Sequence, residues 1–261
     1  MTKFSIITCT YNAEGTCQRT FDSVMCQTHP YVEHLILDGC SKDKTLSLAR
    51  EYESENAKRE TLHDISITSE PDRGLYDAMN KGIIKATGDY ILFLNAGDTF
   101  TNDDTLLQIA NAIDGIGDGE QLPAVLYGDT DIVDGKGKFV RHRRLSPPDD
   151  LSWQSFRQGM LVCHQAFYAR TDIAKQTPYD LHYRFSADVD WCIRIMKEAE
   201  RRHLPMKNIG MVVANYLDEG LTTTHHKASL MERFRLMCHH YGIIPTLSMH
   251  LWFVARAFLK K

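Results

Sequence analysis

The chain contains no stretch of about 18 uninterrupted apolar residues, so a helix crossing a membrane is not expected. Nor does it contain a CxxC pair: its seven cysteines, Cys9, Cys17, Cys26, Cys40, Cys163, Cys192 and Cys238, stand apart in apolar contexts. That odd count, with no signal peptide ahead of it, points to reduced thiols in a cytoplasm, acting as small buried hydrophobes. A strong excess of one charge is missing too, and a net charge of −4 excludes a general nucleic-acid binder. Internal repeats and low-complexity segments are also absent, which leaves an ordinary globular reading.

With 261 residues, 43% of them hydrophobic, the chain can bury a full core as one large domain with a tail. Its charge is uneven. From residue 225 onward Lys227, Arg233, Arg235, Arg256, Lys260 and Lys261 stand against Glu232 alone, a net +5 that leaves −9 for the rest. A basic tail on an acidic body suggests that the tail meets something anionic.

The stretch from Ser69 to Asp98 organises the rest. It reads as a turn over Glu70-Pro71-Asp72-Arg73-Gly74, a helix carrying Leu75, Met79 and Ile83 at every fourth position, a stop at Gly88, and a strand from Tyr90 to Leu94. That strand is nearly all apolar, as in the middle of a parallel sheet covered on both faces. The carboxyl end of such a strand is where these sheets place ligands. There stand Asn95-Ala96-Gly97-Asp98, and a carboxylate on such a tight turn suits a divalent cation shared with a phosphate-bearing substrate.

Ahead of it, strands are expected at Phe4 to Thr10, Glu33 to Leu37 and Ile65 to Ser69, with helices at about Glu14 to Cys26 and Lys44 to Glu55. Strand, polar turn and helix alternate as in a doubly wound α/β sheet. The turns at Thr10 to Asn12, Asp38 to Ser41, Asp72 to Gly74 and Asn95 to Asp98 should therefore share one edge and form a pocket.

Ser5-Ile6-Ile7-Thr8-Cys9-Thr10-Tyr11-Asn12, Asp38-Gly39-Cys40-Ser41-Lys42-Asp43-Lys44-Thr45, Asp72-Arg73-Gly74, Asn80-Lys81-Gly82, Ala86-Thr87-Gly88-Asp89 and Leu94-Asn95-Ala96-Gly97-Asp98, in that order, resemble the family 2 glycosyltransferases of GT-A fold. The similarity is greatest to the bacterial transferases of colanic acid, capsule and O-antigen. It implies a mostly parallel twisted sheet with helices on both faces over residues 1–225, with the nucleotide-sugar half at 1–98 and the acceptor half at 99–225. Residues 226–261 form a basic, aromatic helical tail.

The resemblance further implies that Thr10, Tyr11 and Asn12 line the nucleotide pocket and that Asp38 bonds base or ribose, an ordinary turn being the alternative for Asp38-Gly39. Asp72 and Arg73 fall near the diphosphate or base, although Arg73 also suits a solvated charge. Asn95, Ala96 and Gly97 belong to the donor turn, and Asp98 is the implied ligand of Mn or Mg. Asn95 and Gly97 stand where the family often has aspartates, so the cation would lean on diphosphate oxygens and on His225, whose alternative is a solvated loop.

Beyond Asp98 a helix is expected at about Asp103 to Ile113, strands at Ala124 to Tyr127, Leu161 to Tyr168 and Ile209 to Tyr216, and a hairpin from Ile132 to Val140. His164 and Gln165 resemble the family's His-Gln pair near the acceptor, with a satisfied core histidine as the alternative. Phe185 to Arg194 reads as the start of a helix near Asp188. By the resemblance Asp188 is the general base of an inverting transfer, with Asp190 supporting it and Ala187 replacing the usual glutamate; the alternative for Asp188 is a helix cap.

The tail from Ala228 has apolar residues at helical spacing and ends in Trp252, Phe253, Arg256 and Phe258. It suits peripheral contact with a membrane interface, or packing on the body or on a second subunit of a homodimer. No Gln-x-x-Arg-Trp motif is present, so one sugar is expected to be added per acceptor. The functional expectation is transfer from a UDP- or GDP-linked sugar to a lipid-linked saccharide at the cytoplasmic face of a bacterial membrane. Two alternatives stay open: a non-catalytic nucleotide-sugar-binding module, and a sugar nucleotidyltransferase, which Thr10-Tyr11-Asn12-Ala13 fits poorly for want of a Gly-rich basic loop.

Overall fold

The computed structural model describes residues 1–59, 63–114, 121–217 and 226–259. All seven residues of β1 (Phe4–Thr10) and of β2 (Val32–Asp38) are buried, as are all four of β4 (Tyr90–Phe93). That lack of alternation is what a sheet covered on both faces requires. β3 (Asp64–Ser69), by contrast, is an edge strand with partly exposed residues. The four run parallel in the order β3-β2-β1-β4, and three helices, α1 (Cys17–Met25), α2 (Thr45–Asn56) and α3 (Leu75–Lys85), connect them.

α1 begins three residues later than its pattern suggests. The Ala13 and Glu14 N–H groups donate instead to Thr45 Oγ1 (2.8 Å) and Asp43 Oδ2 (3.0 Å), which hold this piece as a turn against the next loop.

Beyond β4 the same sheet changes character. β8 (Phe167–Arg170) runs antiparallel to β4 and to β6 (Val125–Val133), β6 pairs in parallel with β9 (Met206–Leu217), and β5 (Thr99–Phe100) closes that edge, with β7 (Phe139–His142) on the side of β6. Helices α4 (Thr105–Asp114) and α5 (Thr171–Gln176) are short. α6 (Ala187–Arg201) is anchored by Trp191, which is fully buried and packs on Tyr179 (5.0 Å, stacked), Phe93 and Phe167. A buried aromatic cluster of this kind fixes the start of α6 relative to β4 and β8.

The expected strand over Leu161 to Tyr168 is found only from Phe167. The Arg143 guanidinium takes the carbonyls of Leu145, Met160 and Leu161, and His164–Ala166 forms a 3-10 turn. With those carbonyls bonded to a side chain, the segment has no ladder to join.

The tail is helical as expected: α7 (His226–Tyr241) and α8 (Ile243–Leu259) meet at Gly242, whose φ of 87° reverses the chain. Pro245 sits in the first turn of α8, where its missing N–H costs nothing. Among the described residues no helix is long and apolar enough to cross a membrane. All seven cysteines are free; Cys9, Cys17 and Cys192 are buried, while Cys26 is exposed.

Candidate active site

The parallel strands end in a row. Register places Thr10 beside Asp38 and Asp38 beside Ser69, and the turns that follow are laced together: Asn12 N–H donates to Ser41 Oγ (2.9 Å), Lys42 N–H to Asn12 Oδ1 (2.9 Å), and Gly39 N–H to the Thr10 carbonyl (2.9 Å). Asn12 itself adopts φ 49°, which places its amide where Lys42 can reach it.

Within this lattice Asp38 does not stand open. Its carboxylate accepts from Thr10 Oγ (3.2 Å), Ser41 Oγ (2.5 Å), Ser41 N–H (3.0 Å) and Ser69 Oγ (2.6 Å). Four donors fill the lone-pair positions of a carboxylate, so here Asp38 pins three strand ends rather than offering itself to base or ribose.

The residues that do face outward are Tyr11, 67% exposed, and Asp72, whose Oδ2 lies against Gly39. A Cβ at Gly39 would meet that oxygen at 2.6 Å, so glycine is what lets the turns close up. Arg73 projects outward and is held by Asp77 (2.7 Å) at the start of α3; this pair keeps the Asp77 carboxyl below its usual range and the guanidinium above its own.

At the end of β4, Asn95 and Ala96 reach the surface while Gly97 and Asp98 are buried. Thr20 on α1 stitches the turn, its hydroxyl donating to the carbonyl of Asp98 (2.8 Å) and accepting from Gly97 N–H (2.8 Å). Gly97 has φ 107°, and a Cβ there would lie 2.6 Å from Leu217 Cδ2. A side chain there would be strained by that φ and would have to displace the Leu217 side chain.

Asp98, 3% exposed, accepts from Leu217 N–H (3.0 Å) and Gln165 Nε2 (2.8 Å). Burial pushes its carboxyl up, against the opposing pull of those two donors and of His164. In this structure it is a clasp between the turn, β9 and Gln165.

Gln165 and its neighbour His164 bridge the two halves of the sheet. Gln165 is fully buried between Asp98 and Cys163 Sγ. His164 meets Asn95 Nδ2 through Nε2 (3.1 Å), and its Nδ1 lies 3.6 Å from Asp188 Oδ2.

Asp188, in the first turn of α6, keeps 17% of its side chain exposed. Burial pushes its carboxyl up, but His164, the Arg233 guanidinium and the Val189 N–H together outweigh that and leave it below the usual carboxylate range. The site thus holds an ionised, partly exposed carboxylate next to an imidazole that touches the turn at the end of β4.

Asp190 is not at that surface. Two residues along a helix turn the side chain by about 200°, and Asp190 faces α7, where it accepts from His240 Nε2 (2.7 Å) and Arg194 Nε (2.6 Å). Its expected acceptor-side role gives way to a buried anchor for the tail. His225 lies outside the described residues.

Three contributors had no signal in the sequence. Glu232 on α7 accepts the N–H groups of Arg184 (2.8 Å), Phe185 (2.7 Å) and Ser186 (2.7 Å), the residues leading to Asp188. Tyr76 stacks on Tyr179 (5.3 Å), and burial, with the Asp188 charge, pushes its phenol up. Thr20 holds the turn at the end of β4. Only their position after folding brings them to the site.

Among the described residues no three His, Cys, Asp or Glu side chains converge as a cage for a metal ion. Asp98 has both oxygens bonded to protein donors, and Gly97 holds a φ of 107° that disfavours any side chain. The buried Asn95 Oδ1, without a hydrogen-bond partner, is the free acceptor at this turn. By themselves the described residues do not make up a cation cage.

A family model described as glycosyl transferase family 2 matches residues 5–176. The PGL/p-HBAD biosynthesis glycosyltransferase of Mycobacterium bovis (strain BCG / Pasteur 1173P2) is 34% identical over 219 residues, covering 83% of this chain and 77% of that protein. Among solved structures, S. aureus TarS 1-349 in complex with UDP-GlcNAc superposes with a TM-score of 0.69 at 18% identity, over 98% of this chain and 72% of the other. Mannosyltransferase PcManGT from Pyrobaculum calidifontis, in complex with GDP-Man and Mn2+, superposes with a TM-score of 0.61 at 14% identity, over 97% and 75%.

Proposed function

The chain is a member of glycosyl transferase family 2, and from that premise we propose that it moves one sugar, with inversion, from a UDP- or GDP-linked donor to a hydroxyl of a lipid-linked saccharide in cell-surface glycan assembly. The TarS complex with UDP-GlcNAc and the mannosyltransferase complex with GDP-Man support a nucleotide-sugar donor, and the mycobacterial relative's part in PGL/p-HBAD biosynthesis supports a surface-glycan acceptor. The donor occupies the edge formed by Tyr11, Asn12, Asp72, Arg73, Asn95 and Ala96, and the acceptor approaches from the half beyond residue 98. The reaction belongs at the cytoplasmic face of the membrane, where the tail makes peripheral contact.

The observation that carries the reading is Asp188. Its carboxylate is ionised at neutral pH, partly exposed, and joined through His164 to Asn95 at the end of β4. As the acceptor oxygen forms its bond to the anomeric carbon, Asp188 takes the hydroxyl proton and the bond from that carbon to the diphosphate oxygen breaks, the electron pair leaving with the nucleoside diphosphate. His164 orients the carboxylate, and Gln165 keeps the clasp behind it closed. Mn or Mg, arriving with the diphosphate, would neutralise the charge of the leaving group; among the described residues no set of side chains forms a cage for it.

The test is transfer by Asp188→Asn with the donor established by calorimetric titration of UDP, GDP, CDP and ADP, with and without Mn. A general base is worth about 10²–10⁴ in rate, so Asp188→Asn is expected to lose at least about 99% of transfer while binding the nucleotide normally. Retention of more than about a tenth removes Asp188 from the base role. Saturable nucleotide binding with no turnover by the wild type favours a binding module instead.

A further inference from the structure

The C-terminal hairpin presents two unlike surfaces away from the body. On α8 the exposed large residues are Ile243, Ile244, Leu247, Leu251 and Trp252, at spacings of one, four, eight and nine from the first. They form one apolar strip along the described part of the helix. On α7 the exposed line is Lys227, Met231, Arg235 and His239, one every four residues.

The opposite side of α7 is committed to the body. Leu236 and Met237 are buried, Tyr241 stacks on Trp153 (5.5 Å) and donates to its carbonyl (2.6 Å), and His240 and Glu232 hold α6 and the segment before it. α8 packs back on α7 through Phe234 and His250 (5.1 Å).

We infer that this hairpin is a docking element for an anionic lipid bilayer, with the α8 strip in the interface and the cationic line of α7 at the headgroups. Charge selects that occupant. The region from residue 225 carries +5 and the remainder −9, so an anionic surface attracts the hairpin and repels the body, which orients the molecule as well as binding it. A second copy docked face to face would set one cationic line against another. Trp252 at the end of the strip is a residue that prefers the bilayer interface. α8, with 17 residues, is about 26 Å long and lies along the surface.

The same hairpin holds the segment that carries Asp188. Glu232 takes three successive N–H groups ahead of α6, and His240 bonds Asp190, a pair whose side chains are each 4% exposed. A docked hairpin therefore sets the orientation of the base relative to the membrane. The inference leans on the lipid-linked acceptor of the proposed function only for its purpose, since binding to vesicles needs neither donor nor acceptor.

The experiment is co-sedimentation of the full chain with vesicles of phosphatidylcholine, with and without phosphatidylglycerol. We expect binding to the anionic vesicles that weakens as salt is raised. Each charge removed near such a surface costs about fivefold, so Lys227→Gln with Arg235→Gln should weaken binding about 25-fold. Leu247→Glu with Leu251→Glu should abolish it. Because all four side chains are exposed, both double variants should keep the wild-type melting temperature and nucleotide affinity. The inference is overturned by a wild type that ignores anionic vesicles, by a Leu247→Glu/Leu251→Glu variant that binds them as well as wild type, or by a solution dimer that this variant dissolves. Failure of nucleotide binding in the wild type would instead count against the donor site.

Discussion

At the scale of single residues, the same carboxylate chemistry serves three different ends. Asp38 accepts four bonds and fastens strand ends; Asp98 accepts two from buried donors and fastens β9 to the turn after β4; Asp188 is left partly open, free for the proposed role on substrate. The difference lies in the donors around each, not in the residue type. Asp98→Ala should reveal the clasp directly. It leaves Leu217 N–H and the Gln165 amide without partners, at about 1–3 kcal/mol each, which corresponds to a melting temperature roughly 4–24 °C lower for a chain of this size. The measurement is a thermal melt without nucleotide or metal. An unchanged melting temperature would return Asp98 to the role of cation ligand alone.

At the scale of elements, the unit that matters is the contact of α7 with the start of α6. Hydrogen bonds to a charged acceptor are worth about 1.5–3 kcal/mol each, and Glu232 makes three to consecutive backbone groups. Glu232→Gln leaves one acceptor oxygen and turns an NH₂ toward backbone donors. We expect kcat to fall about tenfold, the equivalent of one such bond, with donor affinity unchanged because the proposed donor edge lies on β1, β2 and β4. Steady-state kinetics beside calorimetric binding separates the two. An equal loss of donor affinity would mean that α7 supports the whole site and not Asp188 in particular.

At the scale of the molecule, stability should depend on pH through a group far from the site. His34 is fully buried between Thr8 Oγ1 (2.9 Å) and Tyr52 Oη (2.9 Å), and burial, with a smaller effect of His63, pushes its pKa from 6.5 down to about 3. Below pH 6.5 the unfolded chain therefore binds a proton that the native chain refuses. Stability falls with acidification through that window, by about 1.4 kcal/mol per pH unit. Urea melts of wild type and His34→Gln between pH 7 and about 4.5 should show a steeper loss in the wild type. Equal slopes would mean that His34 is protonated in the native state.

Much of this protein was determined by the sequence alone. The apolar run of β4 can be satisfied only inside a sheet covered on both faces, and polar turns after the parallel strands must then share one edge. The place of Asp188 at the start of α6 follows from the apolar spacing of Val189, Cys192, Ile193 and Met196. What the tertiary structure alone decided is which polar groups are spent on the fold and which remain for chemistry. Asp38 is saturated because Ser69, 31 residues away, arrives beside it; Asp190 is spent on the fold because α7 brings His240 to it; Glu232 holds the segment before Asp188 from 44 positions downstream of it with no motif to announce it. Local pattern sets where a side chain stands along its element. Its hydrogen-bond partners come from distant segments, and whether a carboxylate is a pin or a base depends on those partners.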